Sequence, residues 1–167
     1  MKKLLLSFSL LVAVSATNAQ NLILENFDAI GNPAVLPAGW QTTNQSDPIG
    51  TTTWFQGGGS ATLFPGFNGG QTGYIGANFN ATTGTGTISN WLISPTLTLQ
   101  QGDVISFYTR TTTYAATPTP ANTFPDRLEM RGSANGDFTV IPSGGIDDVG
   151  DFGEVLVEVN PTLALTD

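Results

Sequence analysis

Residues 127–131 read Arg-Leu-Glu-Met-Arg, and residues 153–160 read Gly-Glu-Val-Leu-Val-Glu-Val-Asn. In the first stretch Leu128 and Met130 are expected to face inward and Arg127, Glu129 and Arg131 outward. In the second, Val155, Val157 and Val159 alternate with Leu156 and Glu158. A side-chain period of two belongs to a pleated strand and is incompatible with the 3.6-residue repeat of a helix. Working outward, the same period spans Asp103 to Thr112, the longest candidate. There Ile105, Phe107 and Thr109 share one face, and Val104, Ser106, Tyr108 and Arg110 share the other. Shorter candidates are Leu22 to Phe27, Tyr74 to Phe79, Ile88 to Ser94 and Phe138 to Ile141. Asn135-Gly136 carries the signature of a type I′ turn, so residues 127–131 are expected to form a hairpin with 138–141.

Between these stretches the chain is punctuated by 20 glycines and 10 prolines, and no window holds a sustained helical apolar stripe. Pro118, Pro120 and Pro125 make the segment from Tyr114 to Pro125 a long exposed loop, because proline cannot donate to a ladder. Glycine clusters at 57–59 and 84–86 mark two further loops. About eight strands separated by turns imply an all-β fold, specifically an antiparallel β-sandwich. Trp91 lies inside an apolar strand and is expected to be buried in the core.

The first residues have the layout of a secretory signal peptide. Lys2 and Lys3 precede an apolar run from Leu4 to Val14, followed by small and polar residues from Ser15 to Ala19. The run is well short of the roughly 20 residues a membrane span requires. Cleavage is expected before Gln20, leaving residues 20–167 as a single domain without a transmembrane segment. A chain of that size can bury a substantial core. The whole chain carries a net charge of −8; without Lys2 and Lys3, three arginines face 13 acids, a net of −10. Nucleic acid is an unsuitable partner for such a surface, because phosphate binding needs clustered Lys and Arg.

The residue types also restrict the chemistry. The chain has no His and no Cys, and both lysines lie in the expected leader. Ser–His–Asp triads, Cys–His nucleophiles, Schiff-base lysines and His-ligated zinc are therefore unavailable to residues 20–167. Two-carboxylate glycosidase chemistry is still chemically open, but no spacing singles out an acid pair. The chain is thus expected not to be an enzyme. Oxygen-ligand metal sites are compatible with the composition. Glu25 and Asp28 stand three residues apart, and Asp147, Asp148 and Asp151 cluster in one loop, where aspartate also commonly caps turns. Trp54 and Tyr114 are the candidate surface aromatics for ligand stacking. Asn44-Gln45-Ser46 and Asn80-Ala81-Thr82 fit the N-glycosylation pattern.

Several motifs together resemble a known family: Glu25-Asn26-Phe27-Asp28, Leu36-Pro37-Ala38-Gly39-Trp40, Trp54, Asn90-Trp91-Leu92-Ile93-Ser94-Pro95 and Asp126-Arg127-Leu128-Glu129. They resemble the cleaved-adhesin domains and their choice-of-anchor J relatives, and the resemblance covers most of residues 22–160. It implies a jelly-roll β-sandwich, structural Ca²⁺ with Glu25 and Asp28 as ligands, and a secreted or cell-surface role. The expected partner is an extracellular glycan or a matrix or host protein. Members of that family continue to a closing strand ending in an Ile-Asp-Asn/Asp-Val string. Ile146-Asp147-Asp148-Val149 mimics this string but falls too early, so the domain is expected to lack its last strands. The leading functional expectation is a non-catalytic adhesion or carbohydrate-binding-like module. The alternatives are a structural matrix or biofilm component and an ancillary domain of a secreted hydrolase.

Overall fold

The computed structural model describes residues 22–28, 30–31, 35–58, 65–68, 70, 72–111 and 124–164. Within them the fold is all-β. Eight strands form: β1 (Gln41–Asn44), β2 (Asp47–Ile49), β3 (Phe55–Gln56), β4 (Ile75–Gly76), β5 (Thr82–Thr87), β6 (Asn90–Ile93), β7 (Leu128–Gly132) and β8 (Glu154–Val159). Two single 3₁₀ turns, Phe79–Ala81 and Gly136–Phe138, complete the regular structure.

The strands pair antiparallel in four two-stranded ladders, β1 with β6, β2 with β5, β3 with β4, and β7 with β8. The first three ladders are nested. One arm, residues 41–57, runs back along a second arm, residues 74–93, and the breaks between ladders are bridged. Gln45 N–H donates to Ser89 O at 2.7 Å, Gly50 N–H to Ala81 O at 2.9 Å, and Gly57 N–H to Tyr74 O at 2.9 Å. Side chains fill the same breaks. The Asn44 amide donates to Thr52 O and Ala81 O and accepts from Ser46 N–H, while Ser46 Oγ accepts from Ser89 N–H. Pro48 has no N–H to give, which keeps β2 short, and the Thr82 hydroxyl donates to its carbonyl at 2.7 Å. Gly57 must be glycine because the Tyr74 ring lies against its Cα, where a Cβ would stand.

Burial is concentrated around these arms. Ile30, Ala81 and Pro142 are the buried apolar side chains among the described residues, with the hydroxyls of Ser46 and Thr82 beside them. Trp91 is half-buried rather than enclosed. It sits opposite Thr43, packs against Phe152 at a centroid distance of 5.8 Å, and donates its indole N–H to Ser89 Oγ at 3.1 Å.

β7 and β8 form the longest ladder, with a register shift between Met130 and Arg131. Glu129 faces Glu158 across it, a like-charge pair that would by itself weaken the ladder. Two arginines, one preceding β7 and one within it, offset it: Arg127 Nη2 lies 3.0 Å from Glu129 Oε1, and Arg131 Nε donates to Oε2 at 2.6 Å. Arg131 Nη1 also donates to Phe152 O. These charged side chains were expected to stand in solvent, yet those of Glu129 and Arg131 are only 16% and 18% exposed, so the alternation of residues 127–131 does not separate dry from wet faces.

Four expected elements differ. The β7 partner is β8, not residues 138–141. A type I′ turn needs positive φ at both central residues, but Asn135 is right-handed at φ −83°, with only Gly136 positive at φ 56°. Val140 then spends both backbone groups on Asp151, whose amide donates to Val140 O and whose carboxylate accepts from Val140 N–H. Leu22 to Phe27 forms no ladder, since Phe27 turns left-handed at φ 54° and side chains take its backbone groups. Residues 103–111, expected to be the longest strand, are extended but join no ladder among the described residues, and every one of them is exposed. Alternation sets which side chains share a face but supplies no neighbour to bond with. The expected strand from Tyr74 to Phe79 is shortened to Ile75–Gly76 and gives way to a 3₁₀ turn.

Candidate binding surface

The opening segment places Glu25 and Asp28 in a shallow cleft of about 340 Å³, lined also by Leu24, Asn26, Ile30 and Val35. One carboxylate oxygen of Glu25 already accepts the Phe27 amide at 2.7 Å, and Asp28 is exposed. Ca²⁺ takes six to eight oxygens. Two carboxylates supply part of that shell, and no group of three acids is gathered to hold a metal among the described residues. The residues present do not complete a Ca²⁺ site by themselves.

Sequence reading missed the residue that organises this corner. Gln56, at the end of β3, accepts from the amides of Ile30 and Gly31 and donates to Phe27 O at 2.7 Å and to Thr72 O. One side-chain amide thus ties the opening segment to the β3–β4 ladder. Phe27 then meets Trp40 edge-on at 4.9 Å and 77°. No periodicity signals such a role, because a glutamine in a two-residue strand looks like any polar surface residue.

Trp54 is half-buried. Its indole N–H is buried and has no hydrogen-bond partner among the described residues, as is the side-chain N–H₂ of Asn90. Thr53, between Trp54 and the ladder, donates its hydroxyl to Asn90 Oδ1 at 3.0 Å. Tyr114 lies outside the described residues. Open aromatics that pair with each other lie elsewhere: Phe67 and Tyr108, 65% and 73% exposed, stack on each other with centroids 3.6 Å apart and planes 11° from parallel.

The Asp147–Asp151 loop uses its acids as backbone staples. Asp148 Oδ2 accepts from Ser143 and Gly144 N–H, and Oδ1 accepts from Gly150 N–H. The Ser143 amide foremost, with those of Gly150 and Gly144, holds the Asp148 carboxyl below the usual carboxylate range. The Val140 amide, followed by the Asn135 side chain, does the same for Asp151. A carboxylate with depressed pKa in the folded state contributes stability that is present above its unfolded value near 3.9 and is lost as pH falls through the lower folded value. The melting temperature is therefore expected to be insensitive to these two groups above about pH 5 and to fall below about pH 4. The Asp148→Asn/Asp151→Asn double variant should start lower at neutral pH and show a shallower acid decline. Parallel curves for the two proteins, measured by circular dichroism melts from pH 7 to pH 2, would refute the assignment.

This loop also faces the turn between β1 and β2, forming a cleft of about 470 Å³ lined by Gln45, Ser46, Asp47 and residues 143–147. Gln45 bridges it, accepting from Gly145 N–H at 3.2 Å and donating to Thr43 Oγ1 at 2.6 Å. Of the two glycosylation sequons, Asn44 has its amide bonded inside the nested arms, whereas Asn80 is exposed.

No protein-family model, curated protein or solved structure matches this chain. No helix among the described residues is long and apolar enough to cross a membrane.

Proposed function

We propose that the chain is a non-catalytic, secreted or cell-surface module for adhesion or carbohydrate binding, built as a jelly-roll-like antiparallel β-sandwich. The observation that carries this reading is the combination of an all-β scaffold with a side-chain inventory that holds no His or Cys, and no Lys beyond residue 3. Exposed aromatic side chains on that scaffold supply recognition without reactive groups. The leader-like first 19 residues and the acidic balance suit an exported protein. The test is a binding screen of the chain against neutral and acidic glycans and matrix proteins, with and without Ca²⁺. Saturable binding to any of them supports a binding module. No binding under either condition, with full folding by circular dichroism, overturns it.

On this reading Ca²⁺ is a structural ion drawn to Glu25 and Asp28, with the remaining oxygens coming from backbone carbonyls. A ligand bound by the folded state alone stabilises by about 2.7 kcal/mol at 100 times its Kd. Two carboxylates supply only part of the shell, so binding is weak, and millimolar Ca²⁺ is expected to raise the melting temperature of this chain only slightly, a rise that Asp28→Ala abolishes. An unchanged melting temperature, or a rise that survives Asp28→Ala, removes calcium from this cleft.

A further inference from the structure

The Phe67–Tyr108 stack lies on a surface that neither the calcium cleft nor the acidic loop shares. Phe67 belongs to the segment between β3 and β4, and Tyr108 to the extended residues 103–111. Two aromatic rings that cover one face of each other usually lie under other side chains. Here they keep 65% and 73% of their surface exposed, so the outer faces and rims of both rings are open to solvent. The parallel planes, 11° apart, give the pair two broad flat outer faces rather than the edge presented by a tilted pair such as Phe27 and Trp40.

We propose that this pair is a stacking platform for the apolar face of a neutral sugar ring, the glycan-binding element of the module. This rests on the binding-module reading and deepens it by naming site and ligand class. A flat aromatic face complements the face of a pyranose on which ring C–H groups project together, while the sugar hydroxyls point outward to water and to polar side chains. Such side chains lie near the rings: Asn68 follows Phe67, and Ser106 shares the Tyr108 face of the extended segment, both exposed. The Tyr108 hydroxyl adds a donor and acceptor at the ring's own edge. The net charge of −8 disfavours a carboxylated or sulfated glycan and also a second copy of the chain, so the ligand is a neutral one. Trp54 is less suited, because its indole is half-buried with the N–H turned inward.

The experiment titrates the full chain by calorimetry with cellohexaose and maltohexaose as neutral probes and with heparin as the acidic one. Phe67→Ala, Tyr108→Ala and the double variant are run alongside Tyr108→Phe. Binding of at least one neutral probe is expected, weakened about tenfold for each ring removed and largely kept by Tyr108→Phe. Because both rings are exposed, the variants should keep the parent melting temperature, which separates loss of a site from loss of the fold. Unchanged affinity in the double variant overturns the platform while leaving the module a binder. Binding of heparin alone overturns the neutral-glycan assignment and spares the broader reading. Absence of binding to every probe overturns both.

Discussion

Gln56→Ala is expected to destabilise the protein by about 3 kcal/mol, because it strands several backbone groups at once rather than one. The Ile30 amide loses its acceptor in a site where the residue is only 3% exposed, so water cannot replace it. The Phe27 carbonyl loses its donor, while the Thr72 carbonyl keeps the Tyr74 N–H. A buried donor or acceptor left unpaired costs about 1–3 kcal/mol, and exposure of the Gly31 and Thr72 contacts keeps the total in the lower part of the summed range. The opening segment should loosen before the rest of the molecule. Hydrogen exchange is therefore expected to show the Ile30 amide deprotected in the variant, while the amides of β1 and β6 keep their protection. Gln56→Glu should not rescue, since it restores an acceptor for Ile30 but turns a carboxylate toward two carbonyl oxygens. A loss under about 1 kcal/mol in chemical denaturation would show that the segment is held by Phe27 and Trp40 instead.

Trp91→Ala is expected to cost about 3 kcal/mol, the low end of the range for removing a tryptophan from a packed site. The indole is half-buried, so less apolar surface returns to water than in a closed core. Its removal also withdraws the partner of Phe152 and the donor to Ser89 Oγ, which links β6 to the β1–β2 turn through Ser46. Trp91→Phe keeps an aromatic ring against Phe152 and should lose about 1 kcal/mol or less. If Trp91→Ala costs under about 1 kcal/mol in urea titration, the ring contributes cover rather than packing.

These two residues illustrate what could be read from the sequence. Trp91 announces itself: an aromatic in an apolar run marks a strand, and β6 lies where Ile88 to Ser94 was expected. The alternating stretches 127–131 and 153–160 likewise became β7 and β8, because period two is a local property of the chain. Their mutual pairing was not legible. Asn135-Gly136 suggested a nearer partner, and the choice was made by Asp151 binding both backbone groups of Val140, a contact between residues that no local pattern links. Gln56 was invisible for the same reason, since its partners lie 16 to 29 residues away. Among the candidate site residues, Glu25 and Asp28 line one cleft. The Phe67–Tyr108 stack was hidden because one ring lies in a glycine-rich segment and the other in a presumed strand face.

The nesting of β3–β4 inside β2–β5 inside β1–β6 has a kinetic meaning. Closing β3 on β4 encloses residues 57–74, the shortest loop of the three ladders and so the smallest loop-closure entropy to meet first. Once it has formed, β2 and β5 are already near each other and need only the short stretches 50–54 and 77–81 to be ordered, and β1 and β6 follow with still less chain between them. The arms can therefore assemble as a zipper that starts at its closed end, with the sequence separation of each new contact already covered by the one before. Changes near Phe55, Gln56 and Ile75 then act on the rate of folding. Changes at the open end, near Gln41 and Ile93, act on the rate at which the arms come apart.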